Sequence, residues 1–258
     1  MKGTVGRFVR HRFLFEELVK RDFKKKYKGT WLGVGWSVLS PLLMLGVMKL
    51  LFTQFFGTTM PHYTIYLFCG LLMFGFFSEA TKGGMKSIVG GAGIFSKVNV
   101  PKYMFLLART VQTFFNFTLT LVVFLAFCLF DGVPFTWRFL LLAYPILTMF
   151  VFSLGIAFLL ATLFVYFRDL EYLWSVVMRL VMYGSAIFYT TDSFGPGMRL
   201  MFRCNVVYDH IEYARLVVLK GIVPGWELHA ILAGVAIAAF ALGGLVYRLF
   251  NEDFIYHV

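Results

Sequence analysis

The chain has 258 residues, of which 60% are hydrophobic, 19% aromatic and only 14% charged, with a mean hydropathy of +0.78. Soluble domains carry about 25% charged residues, and thirty-two Phe with thirteen Tyr exceed what one soluble core can hide, which excludes a soluble enzyme and a disordered chain. The net charge of +11 does not mark a nucleic-acid binder, because ten of the 24 Lys and Arg lie within the first 30 residues, ahead of the first long apolar run.

Residues 8–28 read as an amphipathic helix. Phe8, Phe15, Leu18, Val19 and Phe23 share one face, and Arg10, Glu17, Lys20, Arg21, Lys24 and Lys28 fill most of the opposite arc. Such a helix is expected in the headgroup plane, its basic side toward anionic lipid. A basic arm that only fixes topology is the plainer alternative; the persistence of the apolar stripe favours the helix. The length and acidic residues of this segment predict no cleavable signal peptide.

A bilayer crossing needs about 20 apolar residues as a helix. Six runs qualify: 31–56, 63–80, 108–130, 138–166, 172–190 and 228–250. With the N-terminus inside, seventeen Lys and Arg fall on the inner side and five on the outer, while Lys49 and Arg179 lie within spans. The positive-inside rule therefore places both termini in the cytoplasm.

Between the second and third runs, residues 81–107 form the longest inner connection, rich in glycine and ending at Asn99-Val100-Pro101. Lys82-Gly83-Gly84-Met85-Lys86-Ser87 resembles a phosphate loop superficially, but the glycine required just before the lysine is Met85. Ile88, Val89, Ile94 and Phe95, flanked by Lys86 and Lys97, suit a short docking element on the cytosolic side, or a plain connector. The outer connection, 191–227, holds two semi-apolar pieces, 198–205 and 208–220, each too short to span and read as short helices dipping into the outer leaflet.

Charge within the bilayer is expensive and usually functional. Tyr172, Ser175, Arg179, Tyr183, Ala186 and Thr190 fall within an arc of about 80° on the fifth run, a pattern that suits a water-facing wall. The alternative is a buried Arg179 paired with a carbonyl or with Glu79. Lys49 lies about 27 Å along the first helix from Trp31, near the outer boundary, where it can snorkel to water; Gly35, Leu42 and Gly46 share its face and suit close helix packing equally well. Cys69, Cys128 and Cys204 give no disulfide framework, and the five histidines have no ligand spacing. No catalytic group, metal site or proton relay is expected.

Arg21-Asp22-Phe23-Lys24, then Tyr27-Lys28-Gly29-Thr30-Trp31-Leu32-Gly33-Val34-Gly35-Trp36 and Ser40-Pro41-Leu42, resemble the opening signature of ABC transporter permeases that export polysaccharides, the group serving O-antigen, capsule and teichoic acid. Phe167-Arg168-Asp169-Leu170-Glu171-Tyr172 running to Ser185-Ala186-Ile187-Phe188-Tyr189 is similar to their fourth-to-fifth span junction, and Tyr208 to Gly221 to their outer gate segment. One departure is Asn205-Val206, where many members have Asn-Pro.

The resemblance implies an all-α integral membrane protein, with an interfacial helix in residues 1–30 and a domain of six transmembrane helices in 31–258. It implies a homodimer above two separate ATP-binding cassette ATPases that bind ATP and Mg, no cofactor on this chain, and a lipid-linked glycan as cargo in the bacterial inner membrane. The first and fifth spans would line a channel, making Trp36, Lys49, Tyr172, Ser175, Arg179, Tyr183 and Thr190 channel candidates. The loop 81–107 would dock the ATPase through Lys86, Ile88, Ile94, Phe95 and Lys97, and short outer re-entrant helices would gate through Tyr208, Glu212, Tyr213 and Arg215. A membrane-embedded transferase acting on lipid-linked sugar is the competing reading, but it needs an acid/base pair or nucleophile that the sequence does not offer. A lipid-binding scaffold without transport is a third.

Overall fold

The computed structural model describes residues 12–52, 60–95, 97, 100–191 and 194–254. The start of the amphipathic stretch (Phe8 and Arg10), the end of the first run (53–56), Asn99 in the inner connection and residues 192–193 of the outer one lie outside them. Among the described residues the chain is all-helical. The nine α-helices among the described residues are α1 (Arg12–Tyr27), α2 (Trp36–Phe52), α3 (Tyr63–Phe95), α4 (Tyr103–Phe130), α5 (Ala143–Tyr166), α6 (Leu170–Gly184), α7 (Pro196–Arg203), α8 (Val206–Val218) and α9 (Trp226–Phe250). Short 3-10 segments, Gly33–Gly35 and Trp137–Leu142, lead into α2 and α5.

Among the described residues, five stretches are long and apolar enough to cross a membrane: Gly33–Phe52, Tyr63–Phe95, Tyr103–Phe130, Trp137–Tyr166 and Trp226–Phe250. The expected crossing at 172–190 is different. α6 has 15 residues, about 22 Å of helix against a hydrocarbon core of about 30 Å. It stops at Gly184, and Ala186 then adopts a positive φ of 46°, which no right-handed helix accommodates. The chain continues as irregular backbone through Ser185–Thr190 before α7 begins at Pro196, a position where proline costs no hydrogen bond.

The glycine-rich inner connection also departs from expectation, because α3 runs as one helix of 33 residues through it. Glycine costs a helix about 1 kcal/mol, but here it permits contact. A Cβ on Gly91 would lie 2.6 Å from the Phe105 ring of α4, so the bare backbone lets α4 close against the extension. Burial of Ile88, Phe95 and Phe105 follows from that approach.

The packing order is α4, α3, α5, α9, with α8 laid against the first half of α3 and α1 against α4. The main core joins the membrane-level parts of α3, α4 and α5 with α8, and a second core at the other end joins α1, the end of α3, the start of α4 and the end of α5. Phe254, beyond α9, is buried in that second core. Lys102 donates to the Asn251 carbonyl and lies 5.9 Å and 5.4 Å from the Phe95 and Phe254 rings; burial holds its ammonium below the usual lysine range.

The amphipathic helix is present as α1, but its apolar stripe meets protein. Leu18 is buried, Leu14, Phe15 and Val19 pack on the second core, and Phe23 stands edge-on to Phe115 of α4 at 5.4 Å. Tyr27 donates a buried hydrogen bond of 2.8 Å to Asn116 Oδ1. A partner helix buries that stripe as effectively as the acyl boundary would, so the periodicity was correctly helical and its destination was not legible.

Candidate functional site

Two helices are left nearly uncovered by their own chain. Leu45 is the buried residue of α2, and Met178 that of α6. Phe52, the last residue of α2, stacks on Phe188 just past α6, with centroids 5.0 Å apart and planes at 10°.

On α6 the open face carries Tyr172 (74% exposed), Tyr183 (59%) and Arg179, all at helical spacing. Arg179 has no ion-pair partner among the described residues, so the pairing with Glu79 is not made. Ser175 is half-buried and donates to the Tyr172 carbonyl at 2.7 Å. Thr190 is half-buried in the irregular segment, while Trp36 and Lys49 are exposed on α2. The open face is wider than the polar stripe: Leu173, Val176 and Leu180 are also exposed. Tyr and Arg thus occupy one flank and aliphatic residues the other, an arrangement that can meet water or sugar on one side and an apolar surface on the other.

At the end of α6 the irregular backbone is satisfied by side chains. Asn205 Nδ2 donates to the Gly184 carbonyl at 2.9 Å while its Oδ1 accepts from the Val207 N–H, capping α8. Arg215 of α8 donates to the carbonyls of Ala186 at 3.1 Å and Ile187 at 3.0 Å. Tyr63 donates to the Phe188 carbonyl at 2.8 Å, and Tyr66 to that of Tyr189 at 2.6 Å. Five carbonyls between Gly184 and Tyr189 are therefore capped from α3 and from the N-cap and last turn of α8. Irregular backbone at membrane depth is tolerated only with this kind of protein shielding. Val206, where the resembled family often has proline, is the first residue of α8, a position that accepts either.

Of the gate candidates, Tyr208, Tyr213 and Arg215 are internal, and Glu212 lies 4.0 Å from Lys220. Tyr208 pairs with Thr191 at 3.1 Å, and Tyr213 shares a 2.8 Å hydrogen bond with His229 Nε2. Tyr66 and His210 were not singled out from the sequence; Tyr63 reads there only as a belt aromatic and Asn205 only as part of the departure Asn205-Val206. The two tyrosines look like ordinary boundary aromatics, and His210 looks isolated, although its ring reaches the Val206 carbonyl at 2.7 Å and Thr148 at 3.2 Å.

At the opposite end, the docking candidates divide. Lys86 and Lys97 are exposed and Ile94 is half-buried. Ile88 and Phe95 are buried in the second core, which corrects their expected place on an exposed docking element: they hold the α3 extension to α4. Lys86 forms a 2.5 Å ion pair with Glu171, tying that extension to the start of α6.

Residues 14–219 match the family described as ABC-2 type transporter. The chain is similar to the O-antigen export system permease protein RfbA of Myxococcus xanthus, 27% identical over 256 residues and covering 98% of each chain. It is also similar to proteins of the same description from Klebsiella pneumoniae, one 27% identical over 247 residues with 93% of each chain covered, another 28% identical over 187 residues with 70% and 71% covered.

Proposed function

This chain belongs to the ABC-2 type transporter family, a family of membrane permeases that lack an ATPase domain and pair with ATPase subunits, and we propose that it is the membrane subunit of an ATP-driven exporter of a lipid-linked polysaccharide. The cargo moves outward across the bacterial inner membrane, and ATP with Mg is bound by the partner. The observation that carries this reading is its homology to an O-antigen export permease over 98% of both chains.

Two copies of the chain with two ATPases complete the transporter. The uncovered helices α2 and α6 support this, because a conduit between copies needs surfaces the single chain leaves open. α6 with the shielded segment after it makes a sixth crossing, and α7 and α8 form the outer re-entrant gate. Both termini lie in the cytoplasm, in keeping with the excess of Lys and Arg on that side. Residues 1–30 act as the interfacial segment, 31–258 as the translocation domain, and Ile94 and Lys97 face the ATPase.

Purification of the tagged full chain from its native host tests the proposal. An ATP-binding cassette protein is expected to co-purify, and the chain freed of it is expected to hydrolyse no ATP. ATP turnover by the isolated chain contradicts the assignment.

A further inference from the structure

Between α1, the extension of α3 and the first turns of α4 lies a cavity of about 360 Å³, lined by Arg21, Asp22, Gly83, Lys86, Ser87, Gly90, Phe105 and Arg109. Three of these side chains are cationic and one is anionic. Arg21 is held by Asp22 through Nε at 2.9 Å and Nη2 at 2.6 Å, and Lys86 by Glu171. Arg109 is different. It is half-buried, it lies against Gly83, where a Cβ would be 2.6 Å from its Nε, and it has no acidic partner among the described residues. Its charge is the uncompensated one in the cavity.

The height of the cavity narrows the ligand. The apolar run of α3 ends near Ala80 and that of α4 begins near Ala108, so the cavity sits where both helices leave the hydrocarbon and enter the headgroup layer. One wall is the Phe105 ring, with the Arg21 guanidinium carbon 5.8 Å from its centre. Gly90 contributes open space, since a Cβ there meets nothing within 4 Å. A guanidinium without a carboxylate, beside a second guanidinium and an ammonium, suits a phosphate, two of whose oxygens its planar fork can meet at once.

We propose that this cavity binds the phosphate of an inner-leaflet lipid headgroup, with Arg109 as the principal ligand and Arg21 and Lys86 alongside. The lipid is either a resident anionic phospholipid or a polyprenyl-phosphate carrier; the two present the same chemistry here. The inference rests on the membrane placement proposed above and not on the identity of the cargo. The Lys86–Glu171 pair places the bound headgroup one ion pair away from α6.

Native mass spectrometry of the full chain in neutral detergent, titrated separately with phosphatidylglycerol, undecaprenyl phosphate and phosphatidylcholine, tests it. The unmodified chain is expected to retain one phosphatidylglycerol or one undecaprenyl phosphate and to discriminate against phosphatidylcholine. Arg109→Gln is expected to weaken retention about tenfold, as loss of a charge-assisted hydrogen bond does, and Arg109→Lys to restore part of it. Gly90→Phe keeps every charge and fills the open space, so it separates occlusion from misfolding and is expected to block binding as well. Preference for phosphatidylglycerol identifies a resident lipid, and its displacement by undecaprenyl phosphate identifies the carrier. Unchanged retention in both Arg109→Gln and Gly90→Phe, or equal retention of phosphatidylcholine, overturns the proposal. Co-purification of the ATPase is scored independently, so failure of the export assignment leaves this result readable.

Discussion

The Arg215 guanidinium carbon lies 3.4 Å from the centre of the Tyr66 ring, and the same guanidinium donates to the carbonyls of Tyr66, Ala186 and Ile187. A cation that is 2% exposed and faces no carboxylate among the described residues is thus stabilised by a ring face and three backbone oxygens. This explains how α6 can end short of a full crossing. Arg215→Met is expected to strip the Ile187 carbonyl of its donor and weaken the capping of Ala186, destabilising the segment past α6 by about 3 kcal/mol, read as a lower midpoint of thermal unfolding in detergent. Arg215→Lys is expected to recover only part of the loss, since an ammonium cannot reproduce the planar fork.

The same clamp leaves no room at Gly70. A Cβ there would lie 2.9 Å from Ile187 Cγ2 and 3.3 Å from Arg215 Nη2. Gly70→Ala is expected to cost roughly 1–3 kcal/mol by overpacking, despite the better helix propensity of alanine. Thermal unfolding of the purified variant checks this, and an unchanged midpoint would show that the clamp yields freely.

On α6, cysteines at Tyr172, Arg179 and Tyr183 are expected to react with a water-soluble thiol reagent in the assembled transporter, and faster when ATP opens it. A cysteine at Met178 is expected to stay unreactive because that position is buried. Leu180, 68% exposed on the aliphatic flank, is the informative comparison: it is expected to react slowly with the charged reagent and readily with a membrane-permeant one. Equal labelling at all five positions would remove the distinction between the two flanks.

At the end of the α3 extension, Lys97→Glu and Ile94→Asp are expected to weaken association with the ATPase by about tenfold or more, with the helical content of the chain unchanged. Ile88→Asp is expected to fail differently. A carboxylate in the second core is costly, so the variant should lose the α3 extension and accumulate poorly. Pull-down of the ATPase, paired with circular dichroism, distinguishes the two behaviours.

Hydrophobic run length located every long helix, because about 20 apolar residues have few other uses. It failed where satisfaction of the backbone depends on distant residues. Nothing local in Ser185–Thr190 announces that Tyr63, Tyr66 and Arg215 will cap its carbonyls, so the fifth run reads as one helix. The glycines of 81–107 read as a loop because their cost is local and their benefit, contact with Phe105, is tertiary. The polar stripe on α6 was legible because Tyr172, Arg179 and Tyr183 share a helical period. The Leu173–Val176–Leu180 flank was not, since an aliphatic surface looks the same whether it faces a core, lipid or a second chain.

The central claim is tested most directly by translocation itself. The chain is reconstituted with its co-purified ATPase in vesicles loaded with a lipid-linked polysaccharide on the ATPase-facing leaflet, and the glycan reaching the opposite leaflet is measured by lectin capture. ATP-dependent transfer that is abolished by Arg179→Leu, with ATPase association intact, is the predicted result; transfer independent of ATP, or none with a fully assembled and ATP-hydrolysing complex, would contradict the account.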